Sequence, residues 1–172
     1  MESFSMFNLR TAIKILIVLL TISSCSSTQE SKESNEEQQM IDIQALNTQL
    51  DEIELLCKNL VTNDYMSFFH EEAIIFPPGQ SPIKGIEAIR EFYSVFEKVF
   101  VPSFDLVYSE RYFEVEDSLA IRRYNGYAKI FYKDNSDTLI SNNKYVDMVK
   151  KQPDGSWKII WHMWNENKPI QD

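Results

Sequence analysis

The chain has 172 residues, of which 44% are hydrophobic, and a formal net charge of −9. That length holds one domain of ordinary size with short appendages, so several independent cores are excluded. A chain this acidic is a poor partner for phosphate backbones or anionic lipid headgroups, which excludes the nucleic-acid-binding classes.

The first 24 residues have the pattern of a secretory leader. Arg10 and Lys14 precede an apolar run over residues 15–22, and small residues follow as far as Cys25. This is the order of charged, apolar and cleavage regions in a signal peptide. The run is well short of the roughly 20 residues that span a bilayer, so a permanent transmembrane helix is not expected. The leader carries one net positive charge, and its removal leaves the chain at −10.

The end of the leader, Ile22-Ser23-Ser24-Cys25, resembles the lipobox of bacterial lipoproteins. The resemblance implies cleavage before Cys25 and a lipid on its sulfur, and several acyl chains make such an anchor stable. We therefore expect a lipoprotein in the cell envelope, anchored in the outer membrane and either periplasmic or surface-exposed. The alternative is an ordinary secretory signal in which the cysteine is incidental.

Residues 26–39 contain no aromatic or aliphatic side chain and carry four glutamates against one lysine. Such a segment buries too little surface to offset its ordering entropy, so residues 25–40 are predicted to be a disordered acidic tether. The acidic run also resembles the export signal of surface-exposed lipoproteins in the Bacteroidetes. A solvated spacer is the alternative.

The predicted domain, residues 41–172, begins with helices. Apolar side chains recur at helical spacing over residues 41–61, which predicts an amphipathic first helix in which Cys57 is a core residue and not a nucleophile. The sequence YMSFFHEE indicates a short second helix ending near His70, a favoured residue at a helix C-terminus. A strand over residues 73–76, stopped by prolines, then precedes a third helix over residues 86–100 with an aromatic inner face.

From Pro102 onward the pattern is that of strands. Four long segments rich in aromatic and β-branched residues are separated by the turn pairs Glu116-Asp117, Asp134-Asn135 and Asp154-Gly155. Three N-terminal helices followed by a four-stranded antiparallel meander predict an α+β fold, with the helices packed on one face of a curved antiparallel β-sheet. The sequence contains no P-loop, HExxH, GxSxG or CxxC motif, so we predict neither a cofactor nor a metal site.

Two stretches, FFHEEAIIFPPGQSPIKGIEAIREFYSVF and KYVDMVKKQPDGSWKIIWHMWNEN, together resemble the NTF2-like superfamily. They look most like its SnoaL-like and DUF4440 domains, and the superfamily includes ketosteroid isomerase. The resemblance covers about residues 41–169. It implies a cystatin-like cone in which helices and a curved sheet enclose an apolar pocket for a small, largely apolar ligand. It also implies a homodimer through the sheet.

Strand alternation divides the last segment into two faces. One face carries Lys158, Ile160, His162 and Trp164, and the other carries Trp157, Ile159, Trp161 and Met163. The resemblance directs the first face to the pocket. The ligand-binding residues implied in this way are Phe76, Tyr93, Phe96, Asp147, Ile160, His162 and Trp164.

The loop around Asp154-Gly155 decides whether Asp147 meets His162. A loop of two or four residues places Asp147 opposite His162 or Ile160 on the same face. A three-residue Pro-Asp-Gly loop with a bulge shifts the register by one and parts them.

The resemblance does not extend to the ketosteroid isomerase reaction. The carboxylate base of that enzyme would stand in the strand over residues 73–76, which contains no acid, and its oxyanion tyrosine aligns with Leu56. His162 and Asp147 are the candidate catalytic residues for another acid–base reaction, in which the carboxylate orients the ring. The alternative is a purely structural pair.

Three functions follow as expectations. The first is binding of a small apolar molecule without the isomerase reaction, and the second is an acid–base enzyme of the dehydratase, isomerase or cyclase kind. The third is a protein-interaction module that uses the face of Trp157 and Trp161, unless packing within the chain covers that face. Arg122 and Arg123 point to opposite faces of one strand, and an exposed salt bridge is the role expected for them. The alternative is that one of them reaches the mouth of the pocket.

Overall fold

The computed structural model describes residues 9–135 and 137–167, and side chains from residue 32 onward. The predicted leader and Cys25 therefore lie outside the residues whose side chains are described. The helices are α1 (Leu9–Lys58), α2 (Thr62–Met66) and α3 (Ile86–Val99). The strands are β1 (Phe69–Phe76), β2 (Ile83–Lys84), β3 (Asp105–Glu116), β4 (Leu119–Phe131), β5 (Thr138–Lys151) and β6 (Trp157–Glu166).

The chain divides into two units, residues up to Ile41 and residues from Asp42 onward. In the first unit the side chains of residues 32–41 are all exposed, and Lys32 pairs with Glu36 one helical turn away. The composition predicts disorder here, whereas the structure continues α1 through it. Glu, Gln and Lys are good helix formers, which accounts for the difference. Within the described part of the chain, no helix is long and apolar enough to cross a membrane.

The described strands of the second unit form one mixed sheet in the order β2-β1-β6-β5-β4-β3. The predicted meander of β3 to β6 is confirmed, and the helices and curved sheet make the α+β fold expected. The second predicted helix is wrong in its second half, because residues 69–72 begin strand β1. Parallel pairing of β1 with β6 places Phe69, Ala73 and Ile75 in the core, and this pairing overrides the local sequence pattern.

The core lies between α1, α3 and the inner face of the sheet. Leu46, Leu50 and Ile53 of α1 are each at most 1% exposed, and the register of these residues sets which face of the helix meets the sheet. Ile53 packs in a cluster with Ile159 of β6, whose burial is typically worth about 1.5–3 kcal/mol. Helix α1 thereby forms one wall above strands β5 and β6.

The β5–β6 hairpin sets the position of His162. The N–H of Gln152 donates to the carbonyl of Ser156 at 2.7 Å, so the loop is the three-residue Pro-Asp-Gly type. Gly155 has φ +85°, a conformation that side chains rarely adopt. This loop alone would part Asp147 from His162. A bulge further along β6 leaves Ile160 without a partner and restores the register, so that Asp147 pairs directly with His162.

The bulge also corrects the predicted faces of β6. Trp157 and Ile159 share the inner face with His162 and are 4% and 1% exposed, because the extra residue reverses the alternation at Ile160. Trp157 therefore packs inside the domain and is not part of an exposed interaction face. The Trp157 ring is covered by residues of the same chain, among them Leu46 of α1.

The outer face of the sheet keeps an apolar surface. Trp161 and Met163 are 48% and 44% exposed, and Ile121 and Val146 lie beside them on β4 and β5 at 45% and 48%. A patch of this kind is the surface that a homodimer through the sheet requires. The homodimer stays a prediction, and a sedimentation experiment that finds only monomer at micromolar concentration would contradict it.

Deletion of Ile160 is expected to be tolerated, because removing an unpaired residue converts the bulge into a regular strand and keeps every inner residue in place. Deletion of Lys158 should cost roughly 3 kcal/mol or more, because it turns the buried Trp157 outward. Urea unfolding followed by tryptophan fluorescence measures both. Equal destabilisation by the two deletions would show that the bulge does not set the register.

Candidate functional site

The helices and the inner face of the sheet enclose a cavity of about 250 Å³. Its wall is mainly aliphatic and aromatic, and its polar groups are few. Residues from α1, α2 and α3 and from strands β3 to β6 contribute to it. The lining residues that matter below are Cys57, Tyr65, Tyr93, Phe96, Tyr108, Ser141, Asn143, Tyr145, His162 and Trp164. A small, largely apolar molecule is the kind of ligand that fits such a space.

His162 and Asp147 meet at this cavity. The ring Nδ1 lies 2.6 Å from Oδ1 of Asp147, and both residues are buried, at 3% and 0% exposed. His162 lines the cavity, whereas Asp147 stands behind it. An ionised carboxylate only accepts hydrogen bonds, so Nδ1 carries the proton of a neutral ring and Nε2 keeps its lone pair. The ring can therefore accept a proton from a molecule in the cavity.

A buried arginine holds the other oxygen of Asp147. The Nε–H of Arg122 donates to Oδ2 at 2.6 Å, and the Tyr124 hydroxyl donates to the same oxygen at 3.3 Å. Nη1 of Arg122 donates to Oε1 of Gln49, a residue of α1, at 2.8 Å. Arg122 is completely buried. The expected exposed salt bridge is thus wrong for Arg122. The available sequence signal was the alternation of β4, in which Arg122 occupies an inward position between Ala120 and Tyr124.

The electrostatic balance at Asp147 favours the carboxylate. Burial acts to raise the pKa of Asp147, but Arg122 and then His162 outweigh it and hold the pKa below its ordinary value. The opposite holds for Arg122: burial acts to lower its pKa, but the negative charge of Asp147, together with smaller contributions such as that of Tyr124, outweighs burial and raises that pKa above its ordinary value. Both groups are therefore charged across the physiological range, as a mutually compensating buried pair.

Three rings stack into one wall around His162. Tyr124 lies on Tyr145 with centroids 4.8 Å apart, Tyr145 lies 5.7 Å from the His162 ring, and Trp164 lies 5.0 Å from it on the cavity side. Gly126 makes the packing possible, since a Cβ there would lie 2.8 Å from the Tyr145 ring. The imidazole is thus held in a fixed plane.

Tyrosine hydroxyls are further hydrogen-bond donors at the cavity. Burial raises the pKa of Tyr93, Tyr108 and Tyr145 above the ordinary value, so each stays a neutral phenol that can donate a hydrogen bond. A phenol of this kind can stabilise an oxyanion that develops on a bound ligand. Sequence reasoning selected Tyr93 and missed Tyr108 and Tyr145, which come together only when β3 and β5 curve around the cavity.

Asn143 offers an open acceptor. Its side chain is 8% exposed, its Nδ2 donates to Ser141 Oγ at 2.8 Å and Tyr145 Oη at 3.3 Å, and its Oδ1 has no partner among the described residues. A buried acceptor without a partner costs free energy that a hydroxyl or N–H of a ligand recovers. The cavity therefore suits an apolar ligand with one donor group.

The structure brings together four of the predicted pocket residues, Tyr93, Phe96, His162 and Trp164, with Asp147 directly behind. Two others lie elsewhere. Phe76 packs edge-on against Trp161 at 6.4 Å, and Ile160 is the bulge residue outside the cavity wall. Ile160 was assigned from strict alternation, which the bulge in β6 interrupts, whereas Phe76 was implied by the resemblance, and its ring lies against a residue of the outer face.

Cys57 packs against the core as predicted, whereas His70 lies in a different element from the one predicted. Cys57 lines the cavity, and burial raises the pKa of its thiol to about 12, so it is not a nucleophile at neutral pH. His70 lies in β1 and not at a helix end, and its Nδ1 accepts the N–H of Glu72 at 3.2 Å. Among the residues with described side chains, no group of three or more His, Cys, Asp or Glu could hold a metal ion.

Neither a protein-family model nor a curated protein matches the sequence. Solved structures do match. A candidate scytalone dehydratase from Novosphingobium aromaticivorans has a TM-score of 0.70 at 15% identity, covering 76% of this chain and 87% of that one. A ketosteroid isomerase-like protein from Erwinia carotovora atroseptica gives 0.63 at 11%, covering 73% and 95%. An NTF2-like superfamily protein from Salmonella enterica serovar Typhimurium gives 0.67 at 16%, covering 74% and 92%.

The chain has the NTF2-like fold. Identities this low establish the fold alone, because NTF2-like domains of one shape carry unrelated functions. The closer resemblance to SnoaL-like and DUF4440 domains stays a prediction. The predicted loss of the ketosteroid isomerase base stays a prediction; the acids of β1, Glu71 and Glu72, are both exposed.

Replacement of Asp147 by asparagine should leave the Arg122 charge buried without a counterion and cost about 3–5 kcal/mol at pH 7. Because the folded pKa of Asp147 lies below 3.8, its stabilisation is present above that value and is lost as the pH falls through the lower folded pKa. The wild type should therefore lose stability steeply below about pH 4, and Asp147→Asn should lose less.

Urea unfolding between pH 2 and pH 7 measures this effect. Asp154→Asn is the matched control, because Asp154 is a fully exposed carboxylate whose pKa is lowered by hydrogen bonds from Ser156. We expect it to keep almost all of the wild-type pH dependence. If the free energy of unfolding of Asp147→Asn fell as steeply below pH 4 as that of the wild type, Asp147 would not be ionised in the folded state.

Proposed function

We propose that this NTF2-like domain binds a small, largely apolar molecule in its cavity and moves a proton on it, as an acid–base enzyme of the dehydratase, isomerase or cyclase kind. The observation that carries the proposal is a single imidazole in an apolar wall, with its Nδ1 held by a buried carboxylate 2.6 Å away. Nε2 is then the proton acceptor, His162 is the catalytic residue, and Asp147 positions it.

The proton in this scheme comes from a carbon of the ligand next to a carbonyl. It passes to Nε2 of His162, and the electron pair it leaves delocalises onto the carbonyl oxygen as an enolate. One of the neutral phenols, Tyr93, Tyr108 or Tyr145, donates a hydrogen bond to that oxygen. The imidazolium then returns the proton to another position, or to a leaving hydroxyl, so that His162 is restored.

A binding protein without catalysis is the second candidate. It is favoured by the unpartnered Oδ1 of Asn143, which gains a partner from a bound ligand whether or not a reaction follows. In that case His162 would serve only as a hydrogen-bond acceptor for the ligand. Binding and proton transfer must therefore be measured separately.

Proton transfer can be measured apart from binding by following hydrogen exchange on 2-tetralone, an apolar bicyclic ketone with acidic C–H groups. We expect the wild type to accelerate deuterium incorporation next to the carbonyl, and His162→Gln to slow it by about 10²–10⁴-fold. Glutamine can still donate to Asp147, so the affinity measured by thermal shift should change only slightly. Proton NMR in D₂O records the exchange.

His70→Gln is the matched control, because His70 is the other histidine of the chain and lies in β1 outside the cavity lining. It should exchange 2-tetralone at the wild-type rate. Binding without accelerated exchange in the wild type would reject the enzyme and leave the binding protein. Equal exchange by wild type and His162→Gln would remove His162 as the base.

We also propose that the domain works in the cell envelope as a lipoprotein. Support comes from the leader pattern and the lipobox-like sequence that ends at Cys25. The mass of the N-terminal peptide from the membrane fraction tests this, with a diacylated cysteine expected. A Cys25→Ser chain that stays equally membrane-bound would contradict it.

A further inference from the structure

The three donors around Asp147 divide its two oxygens between them. Oδ1 takes only the His162 ring, whereas Oδ2 takes Arg122 Nε and the Tyr124 hydroxyl. The carboxylate is completely buried, so no water competes for these positions. Arg122 thereby occupies the side of Asp147 that would otherwise attract a second bond from the ring or from solvent.

The charges at the site balance without the histidine. Asp147 and Arg122 carry opposite charges, and Oδ2 of Asp147 lies 2.6 Å from Nε of Arg122. With a neutral His162, the three buried side chains together therefore have no net charge. If Arg122 were absent, the carboxylate would lie buried without a cation, and protonation of His162 would be the nearest way to compensate it. Arg122 thus determines whether the ring next to Asp147 is a base or a counterion.

The other titratable groups near the ring do not alter this balance. Tyr145 stacks on His162, and Cys57 and Tyr93 line the same cavity, and burial raises the pKa of all three. They are therefore uncharged at neutral pH. Asp147 is the charged group hydrogen-bonded to the ring, and Arg122 is the charged group paired with Asp147.

Helix α1 fixes the arginine in place. Gln49 accepts from Arg122 Nη1 at 2.8 Å through Oε1 and donates to the backbone carbonyl of Trp157 at 2.7 Å through Nε2. These two contacts define the orientation of the amide, since one end is an acceptor and the other a donor. Arg122 Nη2 is buried with no hydrogen-bond partner in the described structure, so the hydrogen bonds that position the guanidinium are those to Asp147 and Gln49, and its carbon lies 6.0 Å from the centre of the Tyr124 ring.

We propose that Arg122, held by Gln49, is the positioning residue that keeps His162 neutral, with its proton on Nδ1 and its lone pair on Nε2 facing the cavity. The catalytic meaning of this assignment rests on the proposed function. The protonation state itself does not, because it is a property of the ligand-free protein.

Long-range proton–nitrogen NMR on protein labelled with ¹⁵N-histidine reads the state of each ring at about pH 8, where an ordinary imidazole is neutral. We expect His162 in the wild type to show a protonated Nδ1 and an unprotonated Nε2. His70 is the internal reference, because its Nδ1 accepts a backbone N–H and so must be the unprotonated nitrogen when the ring is neutral.

Arg122→Met should convert His162 to the imidazolium form, with both nitrogens protonated, while His70 stays unchanged. Arg123→Met is the matched control: Arg123 is the next residue, exposed on the outer face above the Tyr112 ring at 4.7 Å. It should leave His162 neutral. A neutral His162 with Nδ1 protonated in a folded Arg122→Met protein would overturn the proposal, as would an imidazolium in the wild type.

Gln49→Met provides a second variant that removes no charge, for use if Arg122→Met does not fold. We expect it to broaden or shift the His162 signals toward a mixture of states, while Gln152→Met, at a half-buried glutamine just before the hairpin loop, has no effect. His162 signals in Gln49→Met that match the wild type would exclude the role of α1. A neutral His162 in a wild type that exchanges no 2-tetralone would reject the enzyme and leave the positioning role intact.

Discussion

The buried carboxylate of Asp147 is the constraint on which the rest of the site depends. A charge with no access to water must be compensated, and here Arg122 supplies the compensation from the neighbouring strand. That requirement links β4, β5 and β6 through side chains as well as through the sheet ladder, and Gln49 adds helix α1 to the same network. The imidazole of His162 is then oriented by Asp147 behind the cavity and by the rings of Tyr145 and Trp164 beside it.

The hairpin geometry connects this electrostatic network to the cavity. A three-residue loop puts β5 and β6 one residue out of the register that Asp147 and His162 need, and the bulge at Ile160 corrects it. Bulges redirect side chains in this way and are common next to functional sites. The same bulge buries Trp157 against α1, so the position of the histidine and the packing of the helix are set by one irregularity.

The cavity itself supplies the conditions for proton transfer. Its wall is apolar, its tyrosines remain protonated because burial disfavours the phenolate, and its single imidazole stands against a compensated carboxylate. In a space with few dipoles, a hydrogen bond from a phenol to a developing oxyanion is worth more than it would be in water. The acids of β1 are exposed, and the imidazole at the cavity belongs to the neighbouring strand β6.

The sequence by itself determined the helix α3, the four long strands and the α+β plan, because hydrophobic periodicity and turn residues are local signals, and the NTF2-like fold was implied by the resemblance of two of its stretches. It also selected His162 and Asp147 as a pair. It did not reveal the extent of β1, since Phe69–Phe76 becomes a strand only by pairing with β6, nor the buried role of Arg122, since adjacent arginines read as solvent-exposed. The bulge at Ile160 was equally hidden, because a bulge is stabilised by the cross-strand hydrogen bonds and core packing on either side of it. Those contacts join residues far apart in the chain, and only the tertiary structure brings them together.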